Sequence, residues 1–214
     1  MNGRVDERDT IFSRIRLKPG TSAYREYYRR HPERKELDDC FREEETGQFG
    51  DRLPEAPMVE STFSLISQLR SLVRAFPEEY RYSPADISPI ESRLSPEELT
   101  RYLEKNAAGY GVVESGAVEM EERFYYSVRG RGGRYGEEVT NLLPRGFVCA
   151  VQMDGNEIRT APGIREATEV AGSYLRVAVP ALVLAVYLRS LGYNAVAHID
   201  GESEVVMPPV AEKA

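Results

Sequence analysis

Residues 177–188, VAVPALVLAVYL, form an unbroken apolar run between Arg176 and Arg189. It is shorter than the roughly 18–20 residues that a bilayer-spanning helix requires, so it is expected to be the buried part of a helix and not a membrane span. The helical pattern around it extends from about residue 163 to residue 191. Gly192 supplies the stop, and NAVAHI at 194–199 alternates as a strand would. With GFVCAVQM at 146–153 read as the preceding strand, the order strand, helix, strand predicts one βαβ crossover. Pro180 has no N–H to give the Arg176 carbonyl, so a kink or break is expected there.

The crossover occupies the end of a chain of 214 residues, long enough for one domain with an appended arm. Residues 1–60 are dense in charge. They suggest two helices, SAYREYYRRHP with Ser22 as the cap and ERKELDDCFREEE, and then a Gly- and Pro-containing linker over about 46–57. This part reads as an N-terminal arm. Residues 61–214 read as the core, opening with an amphipathic helix at 61–76 (STFSLISQLRSLVRAF). A second core helix begins at Ser95, where Pro96 and Glu98 complete a capping box, and closes near Gly109. YGVVES at 110–115 is expected as a strand, and RFYYSVRGRGGRYGEEV at 123–139 as an irregular connection.

Several chemistries lack support. The net charge of −7 is spread along the chain with no basic patch, which argues against nucleic acid as a partner. The two cysteines, Cys40 and Cys149, lie too far apart in sequence to make a metal motif. No secretory signal opens the chain, so a cytoplasmic location is expected. No GxSxG elbow is present, and the adjacent Glu121 and Glu122 read as charged surface. RGRGGRYGEE fits neither phosphate-loop spacing and reads as a solvated turn, the alternative being that Arg129, Arg131 and Arg134 meet a phosphate or carboxylate of a large ligand. His31 reads as a surface residue, His198 as a packed imidazole or a ligand contact. Tyr174 shares a helix face with Val177, Ala178, Ala181 and Ala185, so its ring is expected to point inward. It is either a buried tyrosine with a satisfied hydroxyl or a phenol that donates a proton beside a dry pocket.

Four segments, in order, resemble the corrinoid- and iron–sulfur-dependent reductive dehalogenases: DERDTIFSRIRLKPGTSAYREYYRRHPERKELDD (6–39), RFYYSVRGR (123–131), TAPGIREATEVAGSYLRVA (160–178) and YLRSLGYNAVAHID (187–200). The last also resembles the epoxyqueuosine reductases. The resemblance implies an α/β fold, here a partial nitroreductase-like corrinoid-binding core preceded by the helical, extended arm. It implies a reductase that removes halogen from a small organic substrate. Tyr174 matches the family's proton-donating tyrosine. Tyr125 and Tyr126 match an aromatic segment near the corrinoid, and His198 and Asp200 a polar position beside it.

The family continues beyond PPVAEKA with a turn resembling GLGE, a basic residue that assists the tyrosine, and the cysteines that bind two 4Fe-4S clusters. None of these is in the sequence. The expectation is a truncated form, inactive alone, that depends on a separate iron–sulfur protein or cluster module. A non-catalytic corrinoid-binding module and an inactive fragment are the alternatives.

Overall fold

The computed structural model describes residues 3–47, 94–161, 163–201 and 203–214, with positions 65, 68, 71–73, 81–84, 87 and 88 between them. Of the linker expected over 46–57, residues 46 and 47 are helical, the end of the helix before it, and the rest lies outside the described residues, as does most of the helix expected over 61–76, of which 65, 68 and 71–73 are helical. The chain is a helix-rich mixed fold, broadly α/β, with one small antiparallel sheet.

Seven α-helices lie wholly within the described residues. α1 (Ile11–Arg14), α2 (Ser22–Arg30) and α3 (Pro32–Gly47) form the N-terminal part. Thr21, not Ser22, caps α2: its side chain accepts the Tyr24 N–H. The two neighbouring hydroxyl residues are equivalent by type, and the backbone path selects the first. α4 (Pro96–Gly109) starts with the expected Ser95–Glu98 capping box, each partner bonding the other's backbone N–H.

The next elements are β1 (Glu114–Glu119), β2 (Arg145–Ala150), a short α5 (Gly155–Ile158), the long α6 (Ile164–Ser190) and α7 (Met207–Lys213). β1 begins four residues later than expected, because Gly111 turns the chain after α4 with φ of 79°. β1 and β2 pair antiparallel, with Glu114 opposite Ala150 and Glu119 opposite Arg145. α7 packs over β1 at Gly116, where a side chain would run into Ala214.

α6 ends as its sequence predicts. The Tyr193 and Gly192 N–H groups bond the Leu188 and Arg189 carbonyls, and Gly192 takes φ of 94°. These paired bonds satisfy the last carbonyls of the helix. The expected break at Pro180 does not occur, for the helix is continuous through it and the ring is buried. The packing that holds Pro180 offsets the one lost backbone bond.

The expected crossover is only half made. Residues 194–199 are extended, and Ala195, Ala197 and Ile199 alternate into the core, but they join no sheet among the described residues. The Ala197 N–H bonds the Arg81 carbonyl, and β2 pairs with β1 instead. Alternation identified the buried face correctly. It carries no information on which strand is the partner.

α6 is long and apolar enough to cross a membrane by length and composition alone. Protein covers one face of it: Leu184 packs with Leu103 and Ala107 of α4, Leu182 and Ala185 with Ala195 and Ala197, and Ala178 with Val73 and Ile199. Arg189, fully buried, donates to the carbonyls of Ala195 and Arg81. One face of α6 is thus packed in the core, while Val179, Val183 and Val186 on the other are exposed.

Candidate functional site

The connection from β1 to β2 brings the Gly-Arg loop between the two ends of the chain. Residues 4–7 run along it on one side. The Ser127 N–H bonds the Val5 carbonyl at 2.8 Å, the Glu7 N–H bonds the Val128 carbonyl at 3.1 Å, and the Arg4 guanidinium donates to the carbonyls of Tyr126 and Val139. On the other side the chain after α6 returns, and Tyr125 pairs with Val205 as an isolated bridge.

Between these layers lies a buried cluster of charge. Glu7, 1% exposed, accepts the Gly130 N–H at 2.6 Å through Oε2 and the Arg131 Nε–H at 2.5 Å through Oε1. Arg131 also reaches toward Asp200, at 3.8 Å. Arg129, equally buried, bonds Glu204 Oε1 at 3.1 Å, and Arg134 reaches the same oxygen at 3.3 Å while pairing with Glu137. Charges taken out of water hold together only when paired and hydrogen-bonded. Here the carboxylates come from the chain itself, which corrects the expectation of a purely solvated turn.

His198 joins this cluster through its backbone neighbour, since Nδ1 accepts the Glu204 N–H at 3.3 Å. That bond makes the neutral imidazole carry its proton on Nε2. Burial first, then the positive charges of Arg129 and Arg81, push its pKa down to about 4. The unfolded imidazole protonates near pH 6.5, so between those values the unfolded chain binds more protons than the folded one. This contribution to stability is present above pH 6.5 and lost as pH falls toward 4, by about 2–3 kcal/mol across the window. Denaturant titrations at pH 7 and pH 4.5 measure it. His198→Asn, whose Oδ1 can accept the same N–H, should flatten the slope, and an unchanged slope would remove His198 as its source.

The five residues singled out from the sequence are thus distributed unevenly. Tyr126, His198 and Asp200 lie at or beside the charge cluster. The Tyr126 backbone bonds Glu204, and burial followed by the charge of Glu7 raises its phenol pKa. Tyr125 is a core residue: its ring is 3% exposed among Val139 and Val205, and its hydroxyl donates to the Leu143 carbonyl at 2.7 Å. Of the two readings held for it, packing accounts for every contact.

Tyr174 departs from the inward orientation expected of it. It is 38% exposed, and at its level the buried stripe of α6 passes through Ser173. Helical spacing identifies a shared face, yet it does not say how far the covering elements extend along the helix. Among the described residues the Tyr174 hydroxyl makes no hydrogen bond.

Sequence reasoning missed Glu7 and Glu204. A buried glutamate inside DERD has no signature, because its neighbours are charged and mostly reach water. Glu204 stood in an apolar context, SEVV, which was the available signal. His31 is partly exposed and stacks on Tyr27, with ring centroids 4.7 Å apart. Cys149 is a core thiol whose pKa burial pushes up to about 11, which leaves it unreactive near neutral pH. An open groove of about 570 Å³ is lined by Tyr102, Lys105, Asn106, Gly109 and Tyr110, none of them a candidate site residue.

No protein-family model matches the chain, and no curated protein sequence matches it.

Proposed function

We propose that the chain is the N-terminal and corrinoid-core portion of a cytoplasmic reductive dehalogenase-like protein. The observation that carries this reading is the convergence of the four resembling segments. Glu7 of the first holds Gly130 and Arg131 of the second, Arg131 faces Asp200 of the fourth, and Ala178 of the third packs on Ile199 of the fourth.

A bound corrinoid would supply the electrons for breaking a carbon–halogen bond in a small organic substrate. Of the residues matched to that role, Tyr126, His198 and Asp200 are grouped where they could hold its polar rim, and Tyr125 does not fit because its hydroxyl and ring are already engaged. Tyr174 would hold a proton at its phenolic oxygen within reach of solvent. Two cysteines cannot ligate 4Fe-4S clusters that each take four, so the clusters would come from another polypeptide or from residues outside this sequence.

Absorbance titration of the purified chain with hydroxocobalamin tests the reading. Saturable binding that weakens at least tenfold in His198→Ala is expected; no binding would overturn it. The second reading, a non-catalytic corrinoid-binding module, is favoured by the exposure of Tyr174, which at 38% does not sit in the dry pocket a proton-donating phenol uses. It predicts cobalamin binding with no halide release from organohalides under titanium(III) citrate, and no difference between wild type and Tyr174→Phe. An inactive fragment would bind no corrinoid and melt without cooperativity.

A further inference from the structure

We propose that the Gly130 N–H and the Arg131 guanidinium form an oxyanion-binding subsite, and that the Glu7 carboxylate fills it as a built-in occupant carried on a displaceable N-terminal strap. The proposal stands on the geometry at the Gly-Arg loop and does not depend on the corrinoid reading.

Both oxygens of one carboxylate are engaged, Oε2 by a backbone N–H at 2.6 Å and Oε1 by Arg131 Nε at 2.5 Å. A backbone donor beside a guanidinium is how proteins recognise the carboxylate or phosphate of a ligand. The donors belong to the glycine-rich loop of the core, whereas the acceptor arrives from a segment more than a hundred residues away in sequence. Gly130 lacks a side chain where Glu7 and Arg8 approach, so the oxyanion reaches the N–H directly. Asp200 is the other carboxylate near Arg131, and at 3.8 Å it leaves the Nε edge to Glu7.

The strap is attached in a way that permits release. Apart from the Glu7 carboxylate, residues 4–7 are held to the loop by the two backbone bonds at Val5 and Glu7, the Ser127 hydroxyl donating to the Val5 carbonyl at 3.3 Å, and the donations from Arg4. An external oxyanion competing for Gly130 and Arg131 would displace the Glu7 carboxylate and leave this segment held only by Arg4 and the neutral bonds at Val5 and Glu7. Tyr126 is bonded by this segment and Asp200 shares Arg131 with it, so release would expose these two residues.

The full-length chain tests this with two probes, inorganic phosphate and acetate, against chloride at equal ionic strength. Glu7→Ala empties the slot while retaining the strap backbone. Calorimetry should show this variant binding phosphate or acetate at least tenfold more tightly than wild type, and Arg131→Ala placed in the same chain should abolish the gain. Binding of acetate alone would assign the slot to carboxylates, and of phosphate alone to phosphate esters. In wild type, phosphate at high concentration should accelerate hydrogen exchange at the Glu7 and Ser127 amides. Equal anion affinity in Glu7→Ala and wild type, or a gain that survives loss of Arg131, would overturn the proposal. If Glu7→Ala does not fold in chloride, folding restored by acetate or phosphate supports the subsite. If no anion restores it, the isosteric Glu7→Gln is titrated in its place, and a melting temperature no more responsive to phosphate than that of wild type overturns it.

Discussion

Gly130→Ala is expected to destabilise the fold by about 3 kcal/mol or more, a large effect for one added methyl group. A Cβ at this position would stand 2.5 Å from the Glu7 carbonyl carbon and 2.6 Å from the Arg8 nitrogen, and closer still to the Ser13 hydroxyl. Two of these neighbours are backbone, which cannot swing aside as a side-chain tip can. The N-terminal segment must therefore lift away, and it takes with it the Glu7 bonds to Gly130 and Arg131. Arg131 would then be left facing Asp200 alone, with its partner charge displaced. Breaking a buried pair by moving one member costs more than the pair contributes when made, because the remaining charge stays out of water. Urea denaturation monitored by circular dichroism measures the loss. A change under about 0.5 kcal/mol would mean that residues 5–9 do not pack on the loop as described. Gly133, with open space around its would-be Cβ, is the control and should tolerate alanine.

The elements that depend on local chemistry were legible in the sequence. The capping box of α4, the stop of α6 at Gly192 and the inward face of α6 at Ala178 and Ala185 all follow from residues within a turn or two of each other. Non-local features were not. Whether 194–199 pairs with β2 depends on what else competes for that edge, and β1 won it through a connection of 25 residues that the sequence describes only as irregular. The charge cluster was hidden for a different reason. Arg129, Arg131 and Arg134 were visible as a candidate anion site, but the carboxylates that meet them lie about 70 and more than 120 residues away. Burial of a charge is a property of the partner, and a hydropathy pattern registers only the residue itself.

Asp38→Ala should be the other severe change, costing about 3–5 kcal/mol. α3 inverts the usual amphipathic arrangement: Leu37 and Phe41 are exposed, while Asp38 between them is fully buried. Its carboxylate is the point where three elements meet. Oδ2 accepts Arg14 Nε at 2.8 Å from α1 and the Tyr28 hydroxyl at 2.9 Å from α2, and Oδ1 accepts a second Arg14 nitrogen at 3.1 Å. The bond to Asp38 raises the Arg14 pKa further, but a guanidinium is charged at neutral pH even without it, so the charge persists when the carboxylate is removed. Alanine would therefore strand a guanidinium and a phenol in the interior, each having given up water for a partner that is gone. The surrounding rings cannot compensate, since Tyr24 and Tyr28 pack edge to face, 4.6 Å between centroids, and define the shape of the gap. Asp38→Asn keeps the acceptor but not the charge and should cost less, about 1–2 kcal/mol. Arg14→Met together with Asp38→Leu removes both charges and should recover most of the stability lost in Asp38→Ala, because the penalty lies in the unpaired group and not in the absence of the pair. Chemical denaturation of the single and double variants decides it. If Asp38→Ala unfolds at the same denaturant concentration as wild type, α1, α2 and α3 are not joined through Asp38.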